Sequence, residues 1–341
     1  MIHIVNWILT RRCNLNCEYC AIVRNYPNMP QEYPRMDHYI KNEMSTEYII
    51  QGLEKFKLHN PDCFNIFYGG EPALRKDLAE IINHCNDNDI HYTIISNNTN
   101  EILPLIDKLF DNVDYIQGFT ASVDPSFNEE LPYEDRVIKS AAGLRNLIKL
   151  KDRISDVVAE ITVMKHNVKH LYDLVKLLTE VGISSDITFV DIAKSPFYDF
   201  SNITDENLLV EQSSELADVF QRLNDSDLDI HMKDPLLTMI WNILPSKLDC
   251  ELEKGIHNIT VDADGTIRLC LRIRGTHTPK LVNIPNLIDS KGNISFIAEK
   301  AIAKDKEVHC LGCNHTCLLM SMYMNKSKEG MDELIHLDRR I

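Results

Sequence analysis

Six short apolar runs alternate with six helix-like stretches through the first part of the chain, and few folds accept that order. The runs begin at Ile2 and recur at 64–68, 91–95, 115–123, 157–164 and 187–192, with helical signals at 45–58, 74–88, 103–110, 137–150, 169–181 and 207–223. Strands separated by helices cannot pair as tight hairpins; they lie parallel, joined by crossovers, with helices covering the sheet. Eight such units would close a barrel, and six leave it open. The expectation is an α/β fold, a partial (β/α)6 barrel. Local signals agree: Ser45 is placed to cap the helix that follows it, and Gly182 ends the helix over 169–181.

In such sheets the loops at the C-terminal ends of the strands carry function. Here they carry chemistry. After the first strand comes Cys13-x3-Cys17-x2-Cys20, a spacing that lets three thiolates on one loop converge on a metal centre. Zinc and ordinary iron–sulfur sites take four protein ligands, so a loop of three leaves one position for something else. A zinc loop borrowing His3 or His38, or three unrelated buried thiols, is the competing reading. After the second strand comes Gly69-Gly70-Glu71-Pro72, where glycines permit close backbone approach and the Glu71 carboxylate is placed to accept from an ammonium group. The third strand ends at Ser96-Asn97-Asn98 and the fourth at Ala121-Ser122-Val123-Asp124. Within the fifth and sixth, Glu160 and Asp191 face the cavity or sit as partnered core carboxylates. The Pro- and Tyr-rich stretch 23–44 lacks periodicity and reads as a long loop, either a lid or a surface excursion.

The charge balance narrows the partners. With 36 Lys and Arg against 51 Asp and Glu, the net charge of −15 argues against a large nucleic-acid or anionic-membrane surface. The sequence holds no run of about 18 apolar residues and no basic region before its first apolar stretch, so a cytoplasmic protein is expected. Ten cysteines clustered at metal-ligand spacings then favour ligation over disulfides. Beyond the barrel, 259–271 reads as a β-hairpin turning at Ala263-Asp264-Gly265, with Cys250 before it and Cys270 on its second strand. A helical stretch at 296–304 precedes Cys310-x2-Cys313-x3-Cys317. These signals divide the chain into a barrel over 1–235, a small hairpin-plus-helix domain over 236–325 and a polar tail over 326–341. Cys63 and Cys85 fall within elements and carry no assigned role.

The pattern Cys13-x3-Cys17-x-Tyr19-Cys20, followed by Gly69-Gly70-Glu71-Pro72, resembles the signature of the radical S-adenosylmethionine (SAM) enzymes. The resemblance implies a [4Fe-4S] cluster on Cys13, Cys17 and Cys20, with SAM on the open iron, and Tyr19 beside the site. It places Gly69 to Pro72 at the methionine amino group, Ser96 and Asn97 near the ribose and methionine, and Ser122 and Asp124 along the SAM pocket. Asn98 stands where family members commonly carry Gly, and the Gly that usually follows Asp124 is absent. The C-terminal cysteines are similar to the twitch or SPASM extension of these enzymes. That likeness implies one auxiliary [4Fe-4S] cluster on Cys250, Cys270, Cys310 and Cys313, with Cys317 an alternate ligand or a nearby thiol; structural zinc on the same thiols is the alternative.

The implied activity is an oxidoreductase-type one: SAM is cleaved to a 5'-deoxyadenosyl radical that takes hydrogen from an unactivated C–H bond. Oxidative modification or crosslinking of a peptide is the leading substrate reading. Because the first strand begins at Ile2, a peptide-modifying enzyme is expected to use either a separate leader-peptide-binding partner or another docking surface. Oxidation of a small polar molecule such as an aminosugar is the alternative, and a non-catalytic iron–sulfur or zinc scaffold is the third. The chemistry also calls for an electron donor such as flavodoxin or ferredoxin. The sequence names no catalytic acid or base.

Overall fold

The computed structural model describes residues 2–15, 17, 20, 22, 36–123, 144–154, 156–165, 167–189, 210, 213–231, 258–268 and 287–293. In chain order the elements are β1 (Ile4–Thr10), α1 (Met36–Lys41), α2 (Thr46–His59), β2 (Phe64–Gly69), α3 (Leu78–Asp87), β3 (Tyr92–Ser96), α4 (Leu103–Phe110) and β4 (Phe119–Val123). They continue with α5 (Leu144–Lys151), β5 (Val157–Val163), α6 (Leu171–Glu180), β6 (Ser184–Phe189), α7 (Ser214–Asn224), β7 (Asn258–Val261) and β8 (Ile267–Arg268).

The eight strands form one sheet in the order β6-β5-β4-β3-β2-β1-β7-β8. Strands β1 to β7 are parallel to their neighbours and β8 runs antiparallel to β7. With β6 and β8 at opposite edges, the sheet stays open, as the six-unit pattern predicts. The hairpin expected in the C-terminal unit extends this same sheet, because β7 pairs with β1 from Ile4↔Asn258 to Trp7↔Val261. The expected boundaries at 235 and 325 lie outside the described residues.

Alternation along each strand sorts side chains between two faces. Val5, Trp7 and Leu9 enter the core beneath the helices with Phe67, Ile94, Ala121, Ile161 and Ile187. On the opposite face Asn6, Thr93, Thr120, Ser122, Glu160, Thr162, Asp186 and Thr188 are half-buried. The helices supply the matching apolar stripe. In α2, Ile49, Leu53 and Phe56 are buried, and Phe56 meets Trp7 edge-on with centroids 5.7 Å apart. Each such side chain stabilises the fold by about 1.5–3 kcal/mol. The Trp7 indole donates to Asn65 Oδ1 at 2.9 Å, so its one polar atom is satisfied in the core.

Several boundaries differ from the sequence expectation. Helix α1 occupies part of the stretch read as a loop. The helix expected over 74–88 opens as a 3-10 turn at Pro72–Leu74 and restarts at Leu78. The break coincides with Arg75, whose buried guanidinium donates to Leu9 O at 2.8 Å, Met44 O at 3.1 Å and the Asp77 carboxylate. Strand β4 begins at Phe119 rather than 115, since Tyr115 is exposed and Gln117 turns back to accept from the Tyr92 amide.

Candidate active site

The site is built where β1, β2 and β3 end side by side. Past β1, the backbone of Thr10 to Arg12 forms a floor against which the glycine loop packs: Gly70 N donates to Thr10 O at 2.7 Å and Glu71 N to Arg12 O at 2.8 Å. The two glycines are required by this contact. A Cβ at Gly69 would lie 2.3 Å from Thr10 O, and one at Gly70 would lie 2.1 Å from Arg12 O. The close approach foreseen from the sequence is therefore made to the cysteine loop's own backbone.

Glu71 is fully buried, and its carboxylate is used inside the fold. It accepts from the Ala73 amide at 3.0 Å, the Asn97 amide at 2.8 Å and the Ser96 hydroxyl, which lies 3.0 and 3.1 Å from its two oxygens. Burial pushes the carboxyl pKa up while these donors draw it back. Glu71 thus clamps the turn after β2 to the turn after β3. In the latter, Asn98 adopts φ 49°, the left-handed region that glycine takes freely and asparagine tolerates, which explains how it stands where relatives commonly carry Gly.

Cys13, Cys17 and Cys20 are thiols of intermediate exposure on one loop, with Cys20 N donating to Cys17 O at 3.1 Å. Cys13 receives two donors: its sulfur lies 3.4 Å from Leu15 N and 3.7 Å from Asn97 Nδ2. Burial, with the nearby Glu71 and Cys20, raises its pKa and these donors oppose the rise. Asn14 then ties the loop to the β3 turn, accepting from Asn97 Nδ2 at 2.8 Å and donating to Thr99 Oγ1 at 2.9 Å. Arg12 adds a forked contact to Glu43, at 3.1 and 2.8 Å, and Glu43 also accepts from Thr10 Oγ1.

Three partly exposed thiols on one loop are the donor type that an iron–sulfur cluster takes. Among the described residues no three His, Cys, Asp or Glu side chains stand close enough to hold a single metal ion. His38, considered as a borrowed zinc ligand, is 3.1 Å from Asp264, and His3 lies 3.4 Å from the Asn60 amide.

The sequence profile of the radical SAM superfamily matches residues 7–183, more than half the chain. The chain belongs to the radical SAM superfamily. Members are enzymes, and membership implies a [4Fe-4S] cluster that binds SAM. The Fe-coproporphyrin III synthase of Methanosarcina barkeri is 28% identical over 222 residues, 63% of this chain and 50% of that protein. A probable GTP 3',8-cyclase of Methanocaldococcus jannaschii is 25% identical over 203 residues, 58% of this chain and 63% of that protein. The chain thus matches less than two thirds of either relative's length. The structure of Streptococcus suis SuiB bound to its precursor peptide SuiA shares the fold at 13% identity and TM-score 0.54, covering 87% of this chain and 64% of that one. Native anSMEcpe with bound AdoMet shares it at 14% identity and TM-score 0.54, covering 100% of both chains.

The structure brings Cys13, Gly69 to Pro72, Ser96 and Asn97 to one rim. Ser122 lies at the end of β4, half-buried and in register with Glu160, which pairs in turn with Asp186 on β6. Burial, then repulsion from Asp186, pushes Glu160 up to about 7. Burial likewise raises Asp186, opposed by His231 and the Ile187 amide. Tyr19, Asp124, Asp191, Cys250, Cys270, Cys310, Cys313 and Cys317 lie outside the described residues. Sequence reasoning missed Arg11, Asn14, Glu43 and Asp186. Asn14 had a signal in its place between the cysteines; the partners of Arg11 and Glu43 are too distant in sequence to have one. None of the described helices is long and apolar enough to cross a membrane.

Proposed function

We propose that Cys13, Cys17 and Cys20 hold the [4Fe-4S] cluster and that SAM binds over the rim formed by Gly69 to Pro72, Ser96 and Asn97. The observation that supports this reading is the contact of Cys13 with the β3 turn beside the glycine loop, on a loop that also carries the partly exposed Cys17 and Cys20. When bound, the cluster and SAM supply one-electron cleavage of the sulfonium and a 5'-deoxyadenosyl radical. The chain's own residues supply position. Because the Glu71 carboxylate is already occupied, the loop offers a ligand its backbone, and Glu71 fixes where that backbone stands. Leu15 N and the Asn97 amide donate to the Cys13 sulfur, contacts that stabilise a ligating thiolate.

The substrate reading is a peptide, modified oxidatively or crosslinked, with a flavodoxin or ferredoxin as electron donor. SuiB and its bound precursor peptide support this by shared fold. A small polar molecule is the second reading, since the curated relatives are named for Fe-coproporphyrin III and GTP. An auxiliary [4Fe-4S] cluster on Cys250, Cys270, Cys310 and Cys313, with Cys317 nearby, would accept the second electron of an oxidation. Anaerobic formation of 5'-deoxyadenosine from SAM and dithionite tests the core proposal. It is expected from the reconstituted wild type and not from Cys13→Ala/Cys17→Ala/Cys20→Ala, and equal product from both would refute the assignment.

A further inference from the structure

Arg11 lies two residues before Cys13 and is almost completely buried, yet it is a charged group with no place in the rim just described. Its guanidinium makes a forked ion pair with Asp262, Nε to Oδ1 at 2.8 Å and Nη2 to Oδ2 at 2.6 Å. The remaining nitrogen donates to Ile22 O at 2.8 Å, two residues past Cys20, and the plane stacks on the Tyr39 ring 3.9 Å from its centroid. Asp262 is wholly buried in the turn between β7 and β8, where Oδ1 also accepts from Ala263 N at 2.8 Å. One side chain therefore joins the entry and the exit of the cysteine loop, helix α1 and the C-terminal hairpin.

A buried ion pair is weak evidence of stabilisation, because well-packed apolar residues of the same volume often serve as well. What it supplies is registry. A planar fork with all its partners filled holds the backbone in one place, and lysine, a point charge on a flexible stem, does not reproduce it. We propose that Arg11 is a positioning residue for the cysteine loop, anchored by Asp262. The inference rests on the reading of Cys13, Cys17 and Cys20 as ligands. It also links that loop to the β7–β8 hairpin.

The test is hydrogen exchange in the full-length, metal-free protein, which needs no cluster. In Arg11→Lys and Asp262→Asn, amides of the peptide carrying residues 13–22 are expected to exchange about tenfold faster, with those of β3 and β4 unchanged. Arg11→Met/Asp262→Asn should be no worse than Arg11→Met, since the two residues act as a unit. Arg11→Lys keeps the charge and Asp262→Asn one acceptor, so the reading survives if Arg11→Met does not fold. Unchanged exchange at 13–22, or an equal rise everywhere, would overturn the proposal. Because the readout is independent of SAM cleavage, a responsive loop in a protein that makes no 5'-deoxyadenosine would leave Arg11 as the positioning residue and remove the cluster assignment instead.

Discussion

The two flanks of the sheet treat their carboxylates in opposite ways. Around the ends of β7, β1, β2 and β3, the carboxylates meet donors: Glu71 has Ala73, Ser96 and Asn97, Asp262 has Arg11 and Ala263, and Glu43 has Arg12 and Thr10. Across β5 and β6, Glu160 and Asp186 are set side by side, each carrying a raised pKa. The first arrangement fixes a backbone before any ligand arrives. The second holds two carboxyls on the polar face of the sheet, both raised first by burial and Glu160 further by its neighbour Asp186, so that a proton is favoured there. Removing a carboxylate should therefore destabilise one flank and stabilise the other.

The largest effect is expected at Glu71. Glu71→Ala strands the buried Ser96 hydroxyl and the half-buried Ala73 and Asn97 amides, and should cost about 3 kcal/mol in chemical denaturation of the metal-free protein; a loss below 1 kcal/mol would mean that this flank is not held by its hydrogen bonds. Gly70→Ala should have a similar effect. A Cβ 2.1 Å from Arg12 O must push the floor of the cysteine loop away, at about 3 kcal/mol, and iron uptake on reconstitution should fall with it.

On the other flank the sign reverses. The folded-state pKa of Glu160, about 7, lies above the ordinary 4.5, so the folded protein holds this proton longer than the unfolded chain does. Stability is then full below pH 4.5 and is lost as pH rises through 7. Glu160→Gln should match the wild type at low pH and exceed it by about 2 kcal/mol at pH 8, measured as unfolding free energy against pH. A smaller change calibrates both flanks: Ser45 caps α2 by accepting from Tyr48 N at 3.3 Å, and Ser45→Ala should cost about 1 kcal/mol at any pH from 5 to 8.

The same contrast explains what the sequence made legible. Strands β2, β3 and β5 fall within a residue or so of their expected positions, because apolar runs bounded by turns mark a buried strand. Strand β6 begins at Ser184, three residues before the expected 187, since Ser184 and Asp186 face the polar side and hide the start of the run. The cysteine and glycine motifs could be read because each is local. The groups that hold them in place could not: Arg11 meets Asp262 across 251 positions, Arg12 meets Glu43 across 31, and β7 inserts beside β1 from the far part of the chain. Such pairings are decided by the fold and leave no local spacing to detect.

The central claim is that Cys13, Cys17 and Cys20 hold a cluster with a position open to SAM. The most direct measurement is the EPR spectrum of the dithionite-reduced protein with and without SAM, in a variant whose Cys250, Cys270, Cys310, Cys313 and Cys317 are replaced by Ala. The account predicts one reduced [4Fe-4S] signal that changes when SAM is added and is lost on Cys17→Ala. A signal that persists unaltered by SAM, or that survives Cys17→Ala, would contradict it.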